Sequence, residues 1–318
     1  MSKYNNLINE TDIVIRYFDN TTKFIVDTNY GNSLSIFSDT TVNQNENVYI
    51  HVDWGDGISE FYILGTGAIN HHYNNQGRYT VVIDHNPKYG LKFTSQLMIT
   101  ELLRLGVMPN YTNTFLQCEN LQTLYGNCLQ LDPLTKELIN TFQNCYSLST
   151  IPEKLLYDFQ YLENINGLFK GCGLIDIPKT LFKYNLNLKS LIETFRGTRI
   201  KTLSRDIFKN RKTIKTLRFC FADSSLETIE SKAFDDLLNL EDGSYLFYNA
   251  YLLGPSIPEE LFKNCKKLYD VTRMFYNNSS LTNFPVSTFR NNLNIYKFKH
   301  VLVGSNVNEV GQIIWPIM

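Results

Sequence analysis

The second half of the chain repeats one spacing of large apolar residues, about 26–27 residues from each copy to the next. One register is held by phenylalanine: Phe115, Phe142, Phe169, Phe195, Phe221, Phe247 and Phe275. A second register keeps the same period: Leu156, Phe182, Phe208, Phe234, Phe262 and Phe289. A single unit of this length cannot bury these side chains by itself. Two registers with one period therefore predict a solenoid in which each phenylalanine packs on the next.

The repeat unit reads F-x-x-C-x-x-L-x-x-I-P, as in the copy that begins at Phe142. The stretch from Leu148 to Ile151 predicts a short extended piece, which Pro152 ends because proline lacks the N–H that strand pairing uses. On the other wall, apolar residues recur at roughly 3, 4 and 7 positions, a spacing that favours helical turns. The residues with this spacing are Leu181, Phe182, Leu188, Leu191 and Phe195.

This unit resembles the BspA-type leucine-rich repeat and the related repeats of mycoplasma-like surface lipoproteins. The resemblance covers about residues 115–295, and the copy from Phe115 is degenerate, as in a capping turn. It implies a non-enzymatic array used for binding or adhesion.

The first third of the chain alternates apolar and polar residues, which predicts β-strands. The alternating apolar residues are Ile13, Ile15, Phe24, Val26, Leu34 and Ile36. The motifs W-G-D-G at residues 54–57 and H-Y-x3-G-x-Y-x-V at residues 72–81 resemble those of a PKD-type, immunoglobulin-like sandwich over about residues 40–95. The resemblance implies that Trp54 and Tyr79 pack in the core and that the domain is a spacer or a protein-binding module.

These patterns predict a multidomain chain: an N-terminal all-β immunoglobulin-like sandwich, then a leucine-rich-repeat-type solenoid of short strands with helical turns. The predicted parts are an arm (1–10), the sandwich (11–96), a connection with the N-terminal cap (97–114), the solenoid (115–295) and a C-terminal cap or docking tail (296–318). The tail is apolar at Ile313, Ile314, Trp315 and Ile317. It is interpreted either as a strand that caps the open end or as a tail that docks a neighbouring subunit.

Composition narrows the function. The chain has 318 residues, of which 43% are hydrophobic, so it can bury a sizeable core. Lys and Arg number 30 against 31 Asp and Glu, and this balance excludes a basic nucleic-acid clamp. The N-terminus does not read as a secretion signal, and no apolar run reaches the roughly 18 residues of a membrane helix. We therefore expect a soluble chain made in a reducing cytosol, with no nucleic-acid or membrane partner.

The six cysteines form no C-x-x-C pair, so free thiols are expected. Cys118, Cys145 and Cys172 share one repeat position, which later copies fill with Thr198, Ser224, Ala250 and Asn278. That drift favours a ladder of small buried side chains, with a stacked thiol metal site as the alternative.

A second metal hypothesis concerns His51, Asp53 and Asp56 at the W-G-D-G turn, where turn capping by aspartate is the competing interpretation. The sequence contains no G-x-S-x-G, P-loop or H-E-x-x-H motif. We predict no catalytic, cofactor-binding or metal-binding residues and no enzymatic activity. A metal-dependent enzyme in the β domain stays the alternative.

The predicted function is binding or structural. An immunoglobulin-like module joined to a repeat array without a recognisable secretion signal favours a bacteriophage virion component, made in the host cytoplasm, such as a capsid decoration, head fibre or tail attachment protein. The alternative is a cell-surface adhesin of the BspA type. The expected partner is a protein or a surface glycan, and assembly into a homo-oligomer stays open. The candidate contact residues are Tyr157, Tyr161, Tyr184, Arg211 and Lys212.

Overall fold

The computed structural model describes residues 20–38, 48–65 and 67–307. The predicted strand that contains Ile13 and Ile15 lies outside the described residues. The same is true of the predicted docking tail, with Ile313, Ile314, Trp315 and Ile317.

The N-terminal region is built from two β-sheets. Its strands are β1 (Thr21–Asp27), β2 (Ser33–Ser38), β3 (Tyr49–Asp53), β4 (Ser59–Ile63), β5 (Ile69–His72), β6 (Arg78–Asp84), β7 (Leu91–Lys92) and β8 (Ile99–Arg104), and one 3-10 turn covers Thr28–Tyr30. With β9 (Thr123–Leu124), the larger sheet has the order β4-β3-β6-β1-β8-β9, and the smaller one has the order β5-β2-β7.

The alternating pattern places one face of each strand in a common core. Phe24 and Val26 of β1 and Leu34 and Ile36 of β2 are fully buried within one hydrophobic cluster, together with Trp54. Because the side-chain period of a strand is two, a slip of one residue would turn these side chains to solvent, so burial fixes the register. The predicted β-strands of residues 20–38 are thus confirmed.

The larger sheet continues directly into the solenoid. Strand β8 pairs antiparallel with β1, where Ile25 faces Glu101, and parallel with β9, where Leu102 faces Leu124. The segment 97–114, expected as a connection, therefore contains a strand shared by both regions. The stack of phenylalanine rings that runs through the solenoid begins at Phe93. The ring of Phe93 lies 5.1 Å from that of Phe24 in the sheet region and 5.2 Å from that of Phe115 in the first coil.

The predicted stacking of phenylalanines is confirmed. From Phe115 to Phe275, successive rings of the first register lie with their centroids 5.3 to 6.1 Å apart and nearly parallel. From Phe182 to Phe289, the rings of the second register lie 5.0 to 6.3 Å apart. The rings of both registers are at most 1% exposed.

The coils pair in parallel along two lines. On one wall, single bridges join Glu137, Asn164, Ser190, Thr216, Asp242, Asp270 and Lys297 in succession. On the other line, β10 (Thr202–Leu203) pairs with β11 (Thr228–Ile229). The N–H of Glu230, the residue after β11, donates to the carbonyl of Leu203 at 2.9 Å. Other coils carry proline at that position and cannot make this bond: Pro152, Pro178, Pro258 and Pro285. The proline thus limits strand formation, as the sequence predicts.

The predicted helical turns are wrong. Among the described residues, the one helix is the 3-10 turn, and no helix is long and apolar enough to cross a membrane. On this wall, the N–H groups of Glu193 and Phe195 donate to the next coil, at the carbonyls of Arg218 and Cys220. The N–H of Thr194, between them, donates three residues back to Leu191. Such alternation cannot form an α-helix, in which every N–H donates four residues back.

The backbone achieves this alternation with two left-handed residues per coil, four positions apart. The pairs are 113 and 117, 140 and 144, 167 and 171, 193 and 197, 219 and 223, 245 and 249, 273 and 277, and 300 and 304. Several of these positions hold glycine or asparagine, which tolerate that conformation best. The apolar spacing of roughly 3, 4 and 7 therefore arises here without a helix.

Candidate functional site

The sequence-predicted contact residues lie at the turns between the second phenylalanine register and the bridged wall. Tyr161 and Tyr184 are 51% and 41% exposed, and Lys212 is also exposed. Tyr157 is partly buried, because its ring meets that of Tyr184 edge-on at 4.4 Å. Four of the five predicted residues therefore reach the surface, and two of them touch.

Arg211, predicted to be exposed, is buried, with 3% exposure. Its Nη1 donates to the carbonyl of Phe182 at 2.7 Å, Nη2 to that of Lys183 at 3.1 Å and Nε to that of Lys209 at 2.9 Å. Burial lowers the pKa of this guanidinium. Arg211 ties neighbouring coils together from the inside and is not a contact residue.

Arg211 occupies a repeat position that we call the inner slot: Phe159, Asn185, Arg211, Leu237, Cys265 and Asn292. Asn185 shows what the slot does. Its Nδ2 donates to the carbonyls of Leu156 and Phe159 in the preceding coil, both at 2.8 Å. Asn292 makes the equivalent pair of bonds to Phe262 and Cys265. The slot therefore holds donors of hydrogen bonds as well as apolar residues such as Phe159 and Leu237, and Arg211 fits it by donating to the same kind of carbonyl as Asn185.

The cysteine position is a second internal ladder, as predicted. The Sγ atoms of Cys118, Cys145 and Cys172 donate to carbonyls of the preceding coil, at 3.0 to 3.3 Å. All six cysteines are free and buried. Burial raises the pKa of Cys118 to about 12, which keeps it a thiol and disfavours metal binding by a thiolate.

The W-G-D-G turn is held by its own side chains. Asp53 accepts the N–H of Gly55 at 2.9 Å, and Asp56 accepts that of Ile58 at 3.1 Å. The second oxygen of Asp56 lies 2.8 Å from Nε2 of His71, whose ring stacks on Trp54 at 4.5 Å. These contacts support turn capping.

The residues of the alternative cation site are not brought together around a common point. His51 instead contacts Asp84 at 3.2 Å and Ser59 at 2.7 Å. Across residues 20–38, 48–65 and 67–307, no group of three or more His, Cys, Asp and Glu residues could hold a metal ion.

The structure adds a surface that the sequence analysis missed, the aromatic–arginine strip: Phe219, Tyr245, Tyr248 and Tyr276, with Arg196, Arg218 and Arg273. The rings of Phe219 and Tyr245 stack at 4.3 Å, and those of Tyr248 and Tyr276 at 5.1 Å. All four rings are partly exposed. The sequence does contain a sign of this surface, because Phe219, Tyr245 and Arg273 occupy the same repeat position, two residues before a core phenylalanine.

Guanidinium groups extend the strip. Those of Arg196 and Arg218 lie over the ring of Phe219, at 5.0 and 5.4 Å from its centroid. That of Arg273 lies 5.7 Å from the centroid of Tyr245 and 5.6 Å from that of Tyr276. The strip thus crosses several coils beside the bridged wall and presents cationic and aromatic groups together.

No protein-family model matches the sequence, and no curated protein matches it. Three solved structures are similar in part. The TLR13–ssRNA13 complex matches with 18% identity and a TM-score of 0.32, over 58% of this chain and 33% of that chain. The Toll–Spatzle complex of Drosophila matches with 14% identity and a TM-score of 0.27, over 59% and 30%.

The third similar structure is an octameric complex of Latrophilin 3, Unc5D and the leucine-rich-repeat part of FLRT2. It matches with 19% identity and a TM-score of 0.30, over 57% of this chain and 67% of that chain. The chain thus spans about a third of the first two proteins that it matches. All three TM-scores lie below 0.5, so the description of the solenoid rests on its own coils, which pair in parallel around buried leucines and phenylalanines.

Proposed function

We propose that this chain is a non-enzymatic binding protein whose solenoid contacts another protein. The observation that carries the proposal is the parallel stacking of the coils, which sets the exposed residues of each coil beside those of the next along one wall. Stacked repeats of this kind form extended surfaces suited to protein partners. The BspA-type resemblance of the repeat supports the same function.

Two surfaces can serve this function. The turn cluster comprises Tyr157, Tyr161, Tyr184 and Lys212, and the aromatic–arginine strip lies beside the bridged wall. Tyrosine and arginine are enriched where protein interfaces gain most of their affinity. In this proposal the two-sheet region is a PKD-like spacer that presents the solenoid.

The proposed setting is a bacteriophage virion, supported by the order of an immunoglobulin-like module before a repeat array. Quantitative mass spectrometry of purified particles tests it. A fixed stoichiometry relative to the major capsid protein is expected. Absence from particles, together with release of the chain by protease treatment of intact cells, would favour the adhesin alternative.

Site-specific cross-linking tests the binding function itself. A photoreactive phenylalanine analogue is placed in turn at Tyr184, at Tyr245 and, as a control, at the exposed Tyr30 of the N-terminal region. The same protein is expected to be cross-linked from at least one solenoid position and not from Tyr30. Equal yields at all three positions would contradict a binding role for the solenoid.

A further inference from the structure

The geometry points to an acidic peptide segment as the partner of the aromatic–arginine strip. This inference rests on the proposed protein-binding function and names the chemistry that the strip recognises. The segment is extended, runs along the solenoid axis and places carboxylates against Arg218 and Arg273.

Among the described residues, two of the three arginines of the strip, Arg218 and Arg273, have no carboxylate partner, whereas Arg196 pairs with Glu193 and Asp223. Arg218 is exposed, and its guanidinium lies over the ring of Phe219. Arg273 donates from Nη1 to the hydroxyl of Tyr245 at 3.2 Å, and its buried Nε has no hydrogen-bond partner. Among the described residues, no carboxylate forms an ion pair with either group. Both guanidinium groups therefore lack a carboxylate partner in the described part of the chain, and each is available to pair with an anion from another molecule.

The neighbouring carboxylates are already engaged. Glu193 pairs with Lys170 at 2.7 Å and with Arg196. Asp223 pairs with Arg196 at 2.7 Å and accepts from Asn249 at 2.9 Å. On the bridged wall, Asp242 accepts the N–H of Ser244 and Asp270 that of Thr272. Asp270 also pairs with Lys297 at 3.8 Å, whereas Asp242 has only neutral donors and offsets one of the two unpaired arginine charges. Although the whole chain has a net charge of -1, the charges named here therefore leave a positive surplus on this surface.

Ring orientation favours carboxylates over neutral sugars. Phe219 has Tyr245 stacked on it and guanidiniums over it, and Tyr245 lies between Phe219 and Arg273. These contacts occupy ring faces, and the edge of an aromatic ring is its electropositive part. A sugar would need a free ring face, whereas a carboxylate is attracted by both the edges and the arginines.

Coil spacing sets the peptide geometry. Parallel-paired backbones lie about 4.8 Å apart, so the backbone segments that carry Arg218 and Arg273, two coils apart at adjacent repeat positions, are separated by roughly 10 Å along the solenoid axis. In a polyproline II helix, every third residue returns to the same side after about 9.3 Å. A β-strand repeats its face after about 6.8 Å and fits less well. The strip therefore matches a polyproline II segment with an acidic residue at every third position.

Fluorescence anisotropy with a labelled peptide of Glu-Pro-Pro repeats tests the inference on the full chain at low salt. Saturable binding is expected, and Arg218→Gln or Arg273→Gln should weaken it roughly tenfold. Arg218 is exposed, so its replacement leaves the core intact. Arg205→Gln is the matched control, because Arg205 is also exposed but already pairs with Glu230. It should leave binding unchanged.

Three results would overturn the inference: no binding of the Glu-Pro-Pro peptide, equal binding of a Gln-Pro-Pro peptide, or affinity unaffected by both strip variants. Tighter, arginine-dependent binding of polygalacturonate would assign the strip to an anionic polysaccharide instead. If the peptide fails while a photoreactive group at Tyr245 still captures one protein, the acidic-peptide inference fails and the protein-binding function stands. If that cross-link is also missing, the strip has no role in protein binding.

Discussion

The two-sheet region and the solenoid pair the hydrogen-bonding groups of their backbones in different ways. In the sheets, β1 pairs with β6 over seven consecutive positions, and each strand has its own partners. In the solenoid, the paired stretches are one or two residues wide, and bonds three residues back alternate with bonds to the next coil. The coils of the solenoid are therefore held together by stacked rings, inner ladders and interrupted backbone bonds, whereas the strands of the sheets are also joined by continuous pairing.

Buried polar groups follow the same division. The solenoid reuses one solution, a donor side chain that points at carbonyls of the preceding coil, as in Asn185 and Asn292. The sheet region has a unique cluster around His85, where Thr22 Oγ1 lies 3.0 Å from Nε2 and Asn20 Nδ2 lies 3.2 Å from Nδ1. Asn20 also bonds both polar backbone groups of Val107. The inner slot holds different residue types in successive coils, whereas the His85 cluster depends on particular side chains that occur once in the fold.

The ring stack gives the largest expected effect. Phe195→Ala should lower the free energy of unfolding by about 3–5 kcal/mol, because it opens a cavity between Phe169 and Phe221. Tyr251→Ala in the same solenoid is the control, since Tyr251 is 48% exposed, and it should cost less than about 0.5 kcal/mol. Urea unfolding measures both. Similar losses in the two variants would contradict a stabilising stack.

The His85 cluster should make the sheet region sensitive to acid. Burial lowers the pKa of His85 to about 4, an effect that the nearby Asp84 charge only partly opposes. The unfolded chain, with a histidine pKa of about 6.5, therefore binds the proton first as the pH falls. The stability contribution is complete above pH 6.5 and is lost progressively down to about pH 4, by about 3 kcal/mol.

Comparison with His85→Gln isolates this effect from that of the carboxylates. Between pH 7 and pH 4, the wild type should lose more free energy of unfolding than His85→Gln. Replacement of the exposed His72 by Gln should leave the wild-type slope unchanged. Parallel pH profiles for the wild type and His85→Gln would show that His85 does not titrate differently on folding.

The inner slot gives a smaller effect. Asn185→Leu removes two hydrogen bonds to backbone carbonyls, and each of these carbonyls keeps one backbone N–H partner. The expected loss in the free energy of unfolding is about 1–2 kcal/mol by urea titration. Asn187→Ala, which removes one exposed bond to Gln160, should stay within about 0.5 kcal/mol. A loss for Asn185→Leu as large as that for Phe195→Ala would contradict the tolerance of the slot.

The sequence predicts the stacked rings because those positions hold large apolar residues in every coil, and it predicts the cysteine ladder because that position holds cysteine or another compact side chain. It does not predict the backbone conformation between these positions. Two left-handed residues in each coil, four positions apart, produce an apolar spacing close to that of a helix. Arg211 was misplaced because its slot holds residue types as different as Asn, Leu and Cys, which share only their burial. The strip was missed because arginines and tyrosines on a repeat surface resemble ordinary solvated residues until their stacking is known.

A double-mutant cycle tests most directly whether each coil is stabilised by its neighbour. The adjacent pair is Phe195→Leu with Phe221→Leu, whose rings lie 5.7 Å apart. The distant pair is Phe142→Leu with Phe247→Leu, which is separated by intervening rings of the same stack. Urea unfolding should give a coupling energy of about 1 kcal/mol for the adjacent pair and additivity within about 0.5 kcal/mol for the distant pair. Additivity in the adjacent pair, or equal coupling in both, would contradict a solenoid held together by neighbour-to-neighbour stacking.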